Sequence, residues 1–218
     1  MTLAIFDLDN TLLAGDSDHL WGEFLCAKGL VDAGSFRAQN ELYYQQYQRG
    51  ALDIHAYLAF SLAPLRGRTP ASLAPLQAEF IDNHIKPLML PAAARLLETH
   101  RERGERLLII TATNEFVTRP IASLLGVDDL LGCQVEVLDG ALTGSAFGTL
   151  TYREGKVARL QEWLLEQREQ LAGASFYSDS HNDLPLLELV DTPVAVDADE
   201  QLSAIAAERG WRQISLRG

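Results

Sequence analysis

Short strand-forming runs that alternate with helical patterns constrain the fold of this chain more than any other feature. Four such runs are visible, at residues 3–6, 106–110, 175–177 and 193–196. Helical periodicity fills three of the stretches between and around them, at residues 92–103, 115–125 and 156–170. Strands that alternate with helices indicate an α/β fold with a parallel sheet.

The first three runs share a second feature, because polar residues follow each of them directly. Asp7, Thr111 and the polar segment after Tyr177 lie at these three carboxyl ends. In open α/β sheets the ligand site lies at the carboxyl ends of the strands. We therefore expect three segments that are distant in sequence to meet in one crevice.

The stretch from residue 16 to residue 85 has a different character, with clustered tyrosines, long helical patterns and little strand signal. We predict that residues 16–85 form a helical cap over the crevice. The remaining residues, 1–15 and 86–218, would form the α/β core. Glycines at positions 140, 144 and 148 predict a β-hairpin or flap over residues 141–151.

The charge balance limits the partners of this chain. Its formal net charge is −12, and no basic run offsets that charge locally. The resulting field repels nucleic acid and anionic lipid, so we expect neither as a partner. The sequence shows no export signal and no apolar run of transmembrane length, which predicts a cytoplasmic protein. Cys26 and Cys133 are too far apart for a zinc motif and are expected to be buried packing residues.

Two acidic residues follow the first run, in the order Asp7-Leu8-Asp9-Asn10-Thr11. This spacing lets both carboxylates project into the crevice, where one can attack an electrophile while the other moves protons. A second polar segment precedes a helix expected to begin near residue 114 or 115, and its hydroxyl and N–H groups could seat a phosphate. Its candidate residues are Thr111, Ala112 and Thr113. Taken singly, the first segment is more typical of an acidic turn or cap, and the second of a helix capped by Thr113 or Asn114.

Two further groups complete the candidate site. Lys156 opens a helical stretch, from which its ammonium can reach back to a bound phosphoryl group. Asp179 and Asp183 follow the third run and form a carboxylate pair of the kind that Mg²⁺ prefers. An isolated lysine is usually solvated, however, and Asp183 is equally able to cap a helix that begins at Leu184.

The order of these elements resembles the haloacid dehalogenase (HAD) superfamily of phosphohydrolases, and the resemblance covers nearly the whole chain. The residues that match its four motifs are Asp7-Leu8-Asp9-Asn10-Thr11, Thr111, Lys156, and Asp179 with Asp183. The helical insertion resembles the cap of the phosphoserine-phosphatase-like branch. The resemblance therefore implies a Rossmann-like parallel sheet with an inserted helical cap.

The same resemblance implies a magnesium-dependent phosphatase that acts on a small phosphate monoester. Asp7 would be the nucleophile that becomes phosphorylated, and Asp9 the general acid and base. Thr111 and Lys156 would hold the phosphate oxygens. The implied magnesium site consists of Asp7, the backbone carbonyl of Asp9, Asp179 and Asp183. Transfer of the phosphoryl group to another alcohol, and phosphate binding without turnover, are the alternatives.

Three cap residues bear on the substrate: Asp16, Asp18 and Ser61. One of Asp16, Ser17 and Asp18 is also expected to cap the first helix of the insertion. Asp16 matches the position at which phosphoserine phosphatases contact the substrate amine, and Ser61 aligns with their carboxylate-binding arginine. An amine contact without a carboxylate contact favours a phosphorylated amino alcohol. Residues 15–21 are also similar to HAD-type histidinol-phosphate phosphatases. We expect histidinol phosphate as the substrate, with phosphoserine or another small amino-alcohol phosphate as the alternative, and either a monomer or a homodimer.

Overall fold

A seven-stranded sheet forms the centre of the computed structural model, which describes residues 2–217. Its strands are β1 (Leu3–Phe6), β2 (Arg106–Asn114), β3 (Asp129–Leu138), β4 (Ala141–Phe147), β5 (Ser175–Ser178), β6 (Thr192–Val196) and β7 (Arg212–Ile214). The strand order is β4-β3-β2-β1-β5-β6-β7. Every neighbouring pair is parallel except β3 and β4, which are antiparallel. The predicted α/β fold with a parallel sheet is confirmed.

Helices precede and follow the strands along the described chain. They are α1 (Ser17–Ala27), α2 (Ala33–Gln48), α3 (Ile54–Leu62), α4 (Pro70–Phe80), α5 (Pro91–Glu102), α6 (Glu115–Leu125), α7 (Glu154–Gln167), α8 (Leu184–Leu187) and α9 (Glu200–Arg209). Among residues 2–217, no helix combines the length and the apolar character that a membrane span requires.

Both faces of the sheet are buried, because successive side chains on a strand point to opposite sides. On β1, Ala4 and Phe6 join one hydrophobic cluster, which extends into α1, α3 and α4. Leu3 and Ile5 join the other cluster, which includes residues of α7, α8 and α9. This double burial explains why β1 and the first half of β2 are continuous apolar runs.

The predicted strands at residues 3–6, 175–177 and 193–196 are present to within one residue at each end. The strand predicted at residues 106–110 continues to Asn114, because the backbone resumes pairing with β3 after a bulge. β3 and β7 were not predicted. The hairpin predicted at residues 141–151 is only partly present, because this segment forms one strand, β4. The partner strand is β3, and the turn between them lies at Asp139 and Gly140, both of which have positive φ.

The chain between β1 and β2 is helical, as expected for residues 16–85. Helices α1 to α4 are followed by a π-helical turn over Ile81–Ile85. Trp21 lies inside this segment, packed against Phe24, Phe80 and Phe116. Because Phe116 belongs to α6, the aromatic core of the helical segment is continuous with that of the sheet. The division into a cap and a core remains a prediction.

Candidate active site

A cavity of about 50 Å³ opens at the carboxyl ends of β1 and β2, beneath the helical segment. The sheet side supplies Asp7, Asp9, Asn10, Thr111, Ala112 and Thr113. The helical side supplies Asp16, Asp18, His19, Asn40, Tyr43, Tyr44, Tyr47, Leu52, Ile54 and Tyr57. Carboxylates therefore lie on both sides of one cavity, and in the described chain its lining includes neither lysine nor arginine.

Asp7 lies at the end of β1 and is paired with Lys156. The ammonium of Lys156 donates to Asp7 Oδ1 and to Asp183 Oδ2, each at 2.8 Å. Lys156 is only 1% exposed, so the alternative of a solvated lysine is wrong. Burial lowers the pKa of Lys156, but the charges of Asp183 and Asp7 outweigh this effect and shift the pKa upward. The ammonium therefore stays charged behind the cavity.

A close backbone contact places Lys156 at this point. The residue before it, Gly155, lies in the first turn of α7, where an added Cβ would be 1.9 Å from the carbonyl oxygen of Leu150. Only glycine allows this approach. Gly155 therefore fixes how α7 begins and where the first side chains of this helix point.

The residues at and after the end of β5 are linked to Asp7 through side-chain hydrogen bonds. Thr11 donates to Asp179 Oδ1 at 3.0 Å and accepts the backbone N–H of Asp179 at 3.0 Å. Asp183 accepts the hydroxyl of Ser178 at 2.6 Å and makes no side-chain cap for α8. The helix-cap alternative for Asp183 is therefore wrong. Asp179 lines a second, adjoining cavity, so the three strand ends meet at Asp7 but do not all line one crevice.

Asp9 is held at both carboxylate oxygens. Its Oδ1 accepts the backbone N–H of Ser17 at 2.6 Å, and its Oδ2 accepts the hydroxyl of Thr113 at 2.8 Å. Burial and the charge of Asp16 raise the pKa of Asp9 to about 7, while these hydrogen bonds act in the opposite direction. A carboxyl group with a pKa near neutrality can both donate and accept a proton at neutral pH.

The segment predicted to seat a phosphate lies opposite Asp9. Thr111 and Thr113 are buried, and both line the cavity together with Ala112. Thr111 Oγ1 accepts the backbone N–H of Thr113 at 3.2 Å. The Thr113 hydroxyl already donates its hydrogen to Asp9. Thr113 therefore positions Asp9 and is not a free hydrogen-bond donor for phosphate.

The helical side of the cavity carries Asp16 and Asp18. Asp16 caps α1 by accepting the backbone N–H groups of Asp18 and His19 at 3.0 and 2.8 Å. The capping interpretation of Asp16 is therefore confirmed, although the residue also lines the cavity. Asp18 is 7% exposed and accepts Nδ2 of Asn114 at 3.2 Å. Burial and the charge of Asp16 raise the pKa of Asp18 well above its usual value.

Ser61 is not brought into the cavity. It lies one turn beyond Tyr57 on α3, is buried, and its hydroxyl has no hydrogen-bond partner in the described chain. Trp21 is also remote from the cavity, whereas Tyr43, Tyr44, Tyr47 and Tyr57 all line it. The aromatic wall of the site is therefore tyrosine, and the position aligned with an arginine contributes no side chain to it.

Several contacts of the site were not predicted from the sequence. Asn114 was expected only as a helix cap, yet its amide also reaches Asp18. Arg217 donates to the backbone carbonyl of Asn10 at 3.2 Å and lines the adjoining cavity of about 280 Å³. No local signal identifies such residues, because their partners lie about a hundred or more positions away.

The carboxylates near Asp7 carry more negative charge than Lys156 can balance. Burial and the charges of Asp7 and Asp183 raise the pKa of Asp179 well above its usual value. Within residues 2–217, no three His, Cys, Asp or Glu side chains are already grouped as ligands. Asp7 and Asp183 share Lys156 instead, and Asp179 pairs with Thr11. Oxygen donors with excess negative charge fit a hard divalent cation, although ligation requires these side chains to exchange partners.

Comparison with known proteins identifies relatives of this chain. A profile of the haloacid dehalogenase-like hydrolases matches residues 4–188. A histidinol-phosphatase from Neisseria meningitidis serogroup C (strain 8013) is 46% identical over 99% of this chain and 99% of its own length. Phosphoserine phosphatase SerB1 from Mycobacterium tuberculosis (strain ATCC 25618 / H37Rv) is 32% identical over 95% of this chain and 68% of its own.

A solved structure is similar over the whole fold. The crystal structure of a protein of unknown function from Bordetella pertussis Tohama I has 40% sequence identity to this chain and a TM-score of 0.92. The match covers 99% of this chain and 100% of that one. With the family profile and the relatives above, it shows that this chain belongs to the haloacid dehalogenase-like hydrolases.

Proposed function

We propose that this phosphatase hydrolyses histidinol phosphate, with magnesium, through a phosphorylated Asp7. The observation that carries the proposal is the distribution of charge in the cavity. Asp7 and Asp9 lie at one side and Asp16 and Asp18 at the other, and no lysine or arginine of the described chain lines the space between them. A ligand that carries its own positive charge would balance such a cavity.

The proposed reaction has two steps. In the first, Asp7 attacks phosphorus, the ester bond breaks, and Asp9 donates its proton to the departing alkoxide. In the second, Asp9 removes a proton from water, the water oxygen attacks phosphorus, and the bond to Asp7 breaks. The pKa of Asp9, raised to about 7, supports both roles at neutral pH.

Asp7, the Asp9 backbone carbonyl, Asp179 and Asp183 are the residues proposed to hold magnesium. When bound, the ion would supply positive charge that offsets repulsion between Asp7 and the incoming phosphate. Lys156 contributes a fixed positive charge at Asp7 in any case. Thr111 lines the same side of the cavity and is proposed to contact the phosphate oxygens.

The chemistry of the helical side favours histidinol phosphate over phosphoserine. Phosphoserine carries a carboxylate, which four cavity carboxylates would repel and which finds no lysine or arginine in the described lining. Histidinol phosphate has an amine and an imidazole instead. The histidinol-phosphatase name of the relative at 46% identity supports the same choice.

Phosphate release by the purified protein in the presence of magnesium tests the proposal. The substrates are histidinol phosphate, phosphoserine, phosphoethanolamine and an aryl phosphate, and Asp7→Asn is the inactive control. We expect the highest kcat/KM for histidinol phosphate and its loss in Asp7→Asn. Preference for phosphoserine would overturn the substrate assignment and leave the mechanism standing. Activity that survives in Asp7→Asn would overturn the mechanism.

A further inference from the structure

Asp16 and Asp18 lie at the same side of the cavity but are held by different groups. Asp16 accepts backbone N–H groups of its own helix. Asp18 accepts the side-chain amide of Asn114 from another element, and the Tyr57 hydroxyl on α3 acts on Asp18 by lowering its pKa. Building on the function proposed above, with Asp16 as the expected contact of the substrate amine, we propose that Asp18, positioned by Asn114 and Tyr57, binds a ring nitrogen of the same substrate.

Hydrogen bonds give the order of the two carboxylates along the cavity. Asp16 lies between Gly15, whose carbonyl accepts the backbone N–H of Asn10 at 2.9 Å, and Ser17, whose backbone N–H donates to Asp9 at 2.6 Å. Asp16 is thus held beside the general acid, whereas Asp18 contacts Asn114 at the end of β2. In a phosphorylated 2-amino alcohol the amine is close to the ester oxygen and the ring is further away, which matches this order.

Asn114 connects Asp18 to the phosphate side of the cavity. Its Oδ1 accepts the backbone N–H of Val117 at 3.2 Å and so caps α6, while its Nδ2 donates to Asp18. Asn114 is 1% exposed and directly follows Thr113, the residue that holds Asp9. One backbone segment thus fixes both Asp9 and Asp18. The distance between the reacting phosphate and the second nitrogen site is set by this rigid segment.

The surroundings of Asp18 fit an aromatic ring. Tyr57 lines the cavity beside Asp18, and the ring of Tyr43 meets it edge to face with centroids 5.3 Å apart. A flat ring that carries an N–H group can pack against these tyrosines while it donates to the carboxylate.

Within residues 2–217, Asp18 forms no ion pair. Its side-chain neighbours Asn114 and Tyr57 are neutral, and burial penalises its charged form. A buried carboxylate in such a site is stabilised when a cationic or N–H group from a ligand reaches it. Asn114 and Tyr57 therefore orient Asp18 without neutralising it.

Two matched substrates test this assignment. Phenylalaninol phosphate keeps the amine and an aromatic ring but has no ring nitrogen, whereas histidinol phosphate has both groups. We expect Asp18→Asn to lower kcat/KM for histidinol phosphate by about 10- to 100-fold, the value of one hydrogen bond to a charged group. The same variant should change kcat/KM for phenylalaninol phosphate little. Asp16→Asn should lower kcat/KM for both substrates.

Tyr57→Phe tests the positioning role, because it removes the hydroxyl and keeps the ring. We expect a smaller loss, again confined to histidinol phosphate. Asp32→Asn is the matched control, since Asp32 caps α2 on the exposed surface and asparagine caps equally well. It should leave both substrates unaffected.

The outcomes separate this inference from the function on which it rests. Equal losses for both substrates in Asp18→Asn, or no loss for either, would overturn the assignment of Asp18. An unchanged substrate ratio in Tyr57→Phe would overturn the role of Tyr57. If the wild-type protein does not hydrolyse histidinol phosphate, the proposed function itself fails, and the inference fails with it. Activity on phenylalaninol phosphate reports that the Asp18→Asn and Tyr57→Phe variants are folded, and thermal unfolding reports the same for Asp16→Asn.

Discussion

Lys156 donates a hydrogen bond of 2.8 Å to Oδ1 of Asp7, and both side chains are almost completely buried. The same ammonium contacts Asp183, so one positive charge holds two carboxylates from opposite ends of the chain. A buried charge that loses its partner costs far more than an exposed one. This relationship makes Lys156 important for stability as well as for activity.

Replacing Lys156 by methionine should therefore destabilise the protein by about 3–5 kcal/mol, because Asp7 and Asp183 are left without a cation. Turnover should also be lost. Thermal unfolding and phosphate release measure the two effects. Lys28→Met is the matched control, since Lys28 forms an exposed ion pair with Glu79 that is worth about 1 kcal/mol or less. A Lys156→Met protein as stable as the control would contradict the pairing.

Thr113→Val removes the hydroxyl that donates to Asp9 Oδ2. We expect kcat/KM for an alkyl phosphate to fall by about 10- to 100-fold, a part of the roughly 10²- to 10⁴-fold value of general acid catalysis, because Asp9 is no longer held for proton donation. An aryl phosphate with a good leaving group should lose less, since its aryloxide needs little protonation. Thr99→Val, an exposed change on α5, is the control. Equal losses for both substrates would argue against this role of Thr113.

Two glycine-to-alanine changes should have opposite effects on stability. Alanine is favoured over glycine inside a helix by about 1 kcal/mol. Gly34→Ala in α2 should stabilise the protein, because the nearest atom to the new Cβ is 3.7 Å away. Gly155→Ala should destabilise it and reduce activity, because its Cβ would lie 1.9 Å from the Leu150 carbonyl oxygen. Thermal unfolding of both variants, compared with wild type, checks the contrast.

Both cysteines should be unreactive in the native protein. Burial raises the pKa of Cys133 to about 11, and burial together with the charge of Glu23 raises the pKa of Cys26. The reactive thiolate is therefore scarce at pH 8, and its fraction rises only as the pH approaches the raised pKa. Titration with a thiol reagent should detect both thiols in denaturant and neither of them rapidly in buffer. Fast reaction of one thiol in buffer would contradict its burial.

Features of this protein that depend on neighbouring residues were predictable from the sequence. The apolar run before Asp7 forms β1 at the predicted residues, and α6 begins and ends as its periodicity predicted, because burial and capping act over a few positions. Asp16 caps α1 for the same reason. The order of polar residues after the strands was also sufficient to predict the fold and the family.

Contacts between distant side chains follow from tertiary packing. The order of the motifs predicted Lys156 for the site, but its burial against Asp7 follows from the sheet order, which brings α7 behind Asp7. Asn114 caps its own helix as expected, but its contact with Asp18 joins residues 96 positions apart. Ser61 was aligned by local similarity and lies outside the cavity lining. Such contacts follow from how strands and helices pack, and no local pattern encodes them.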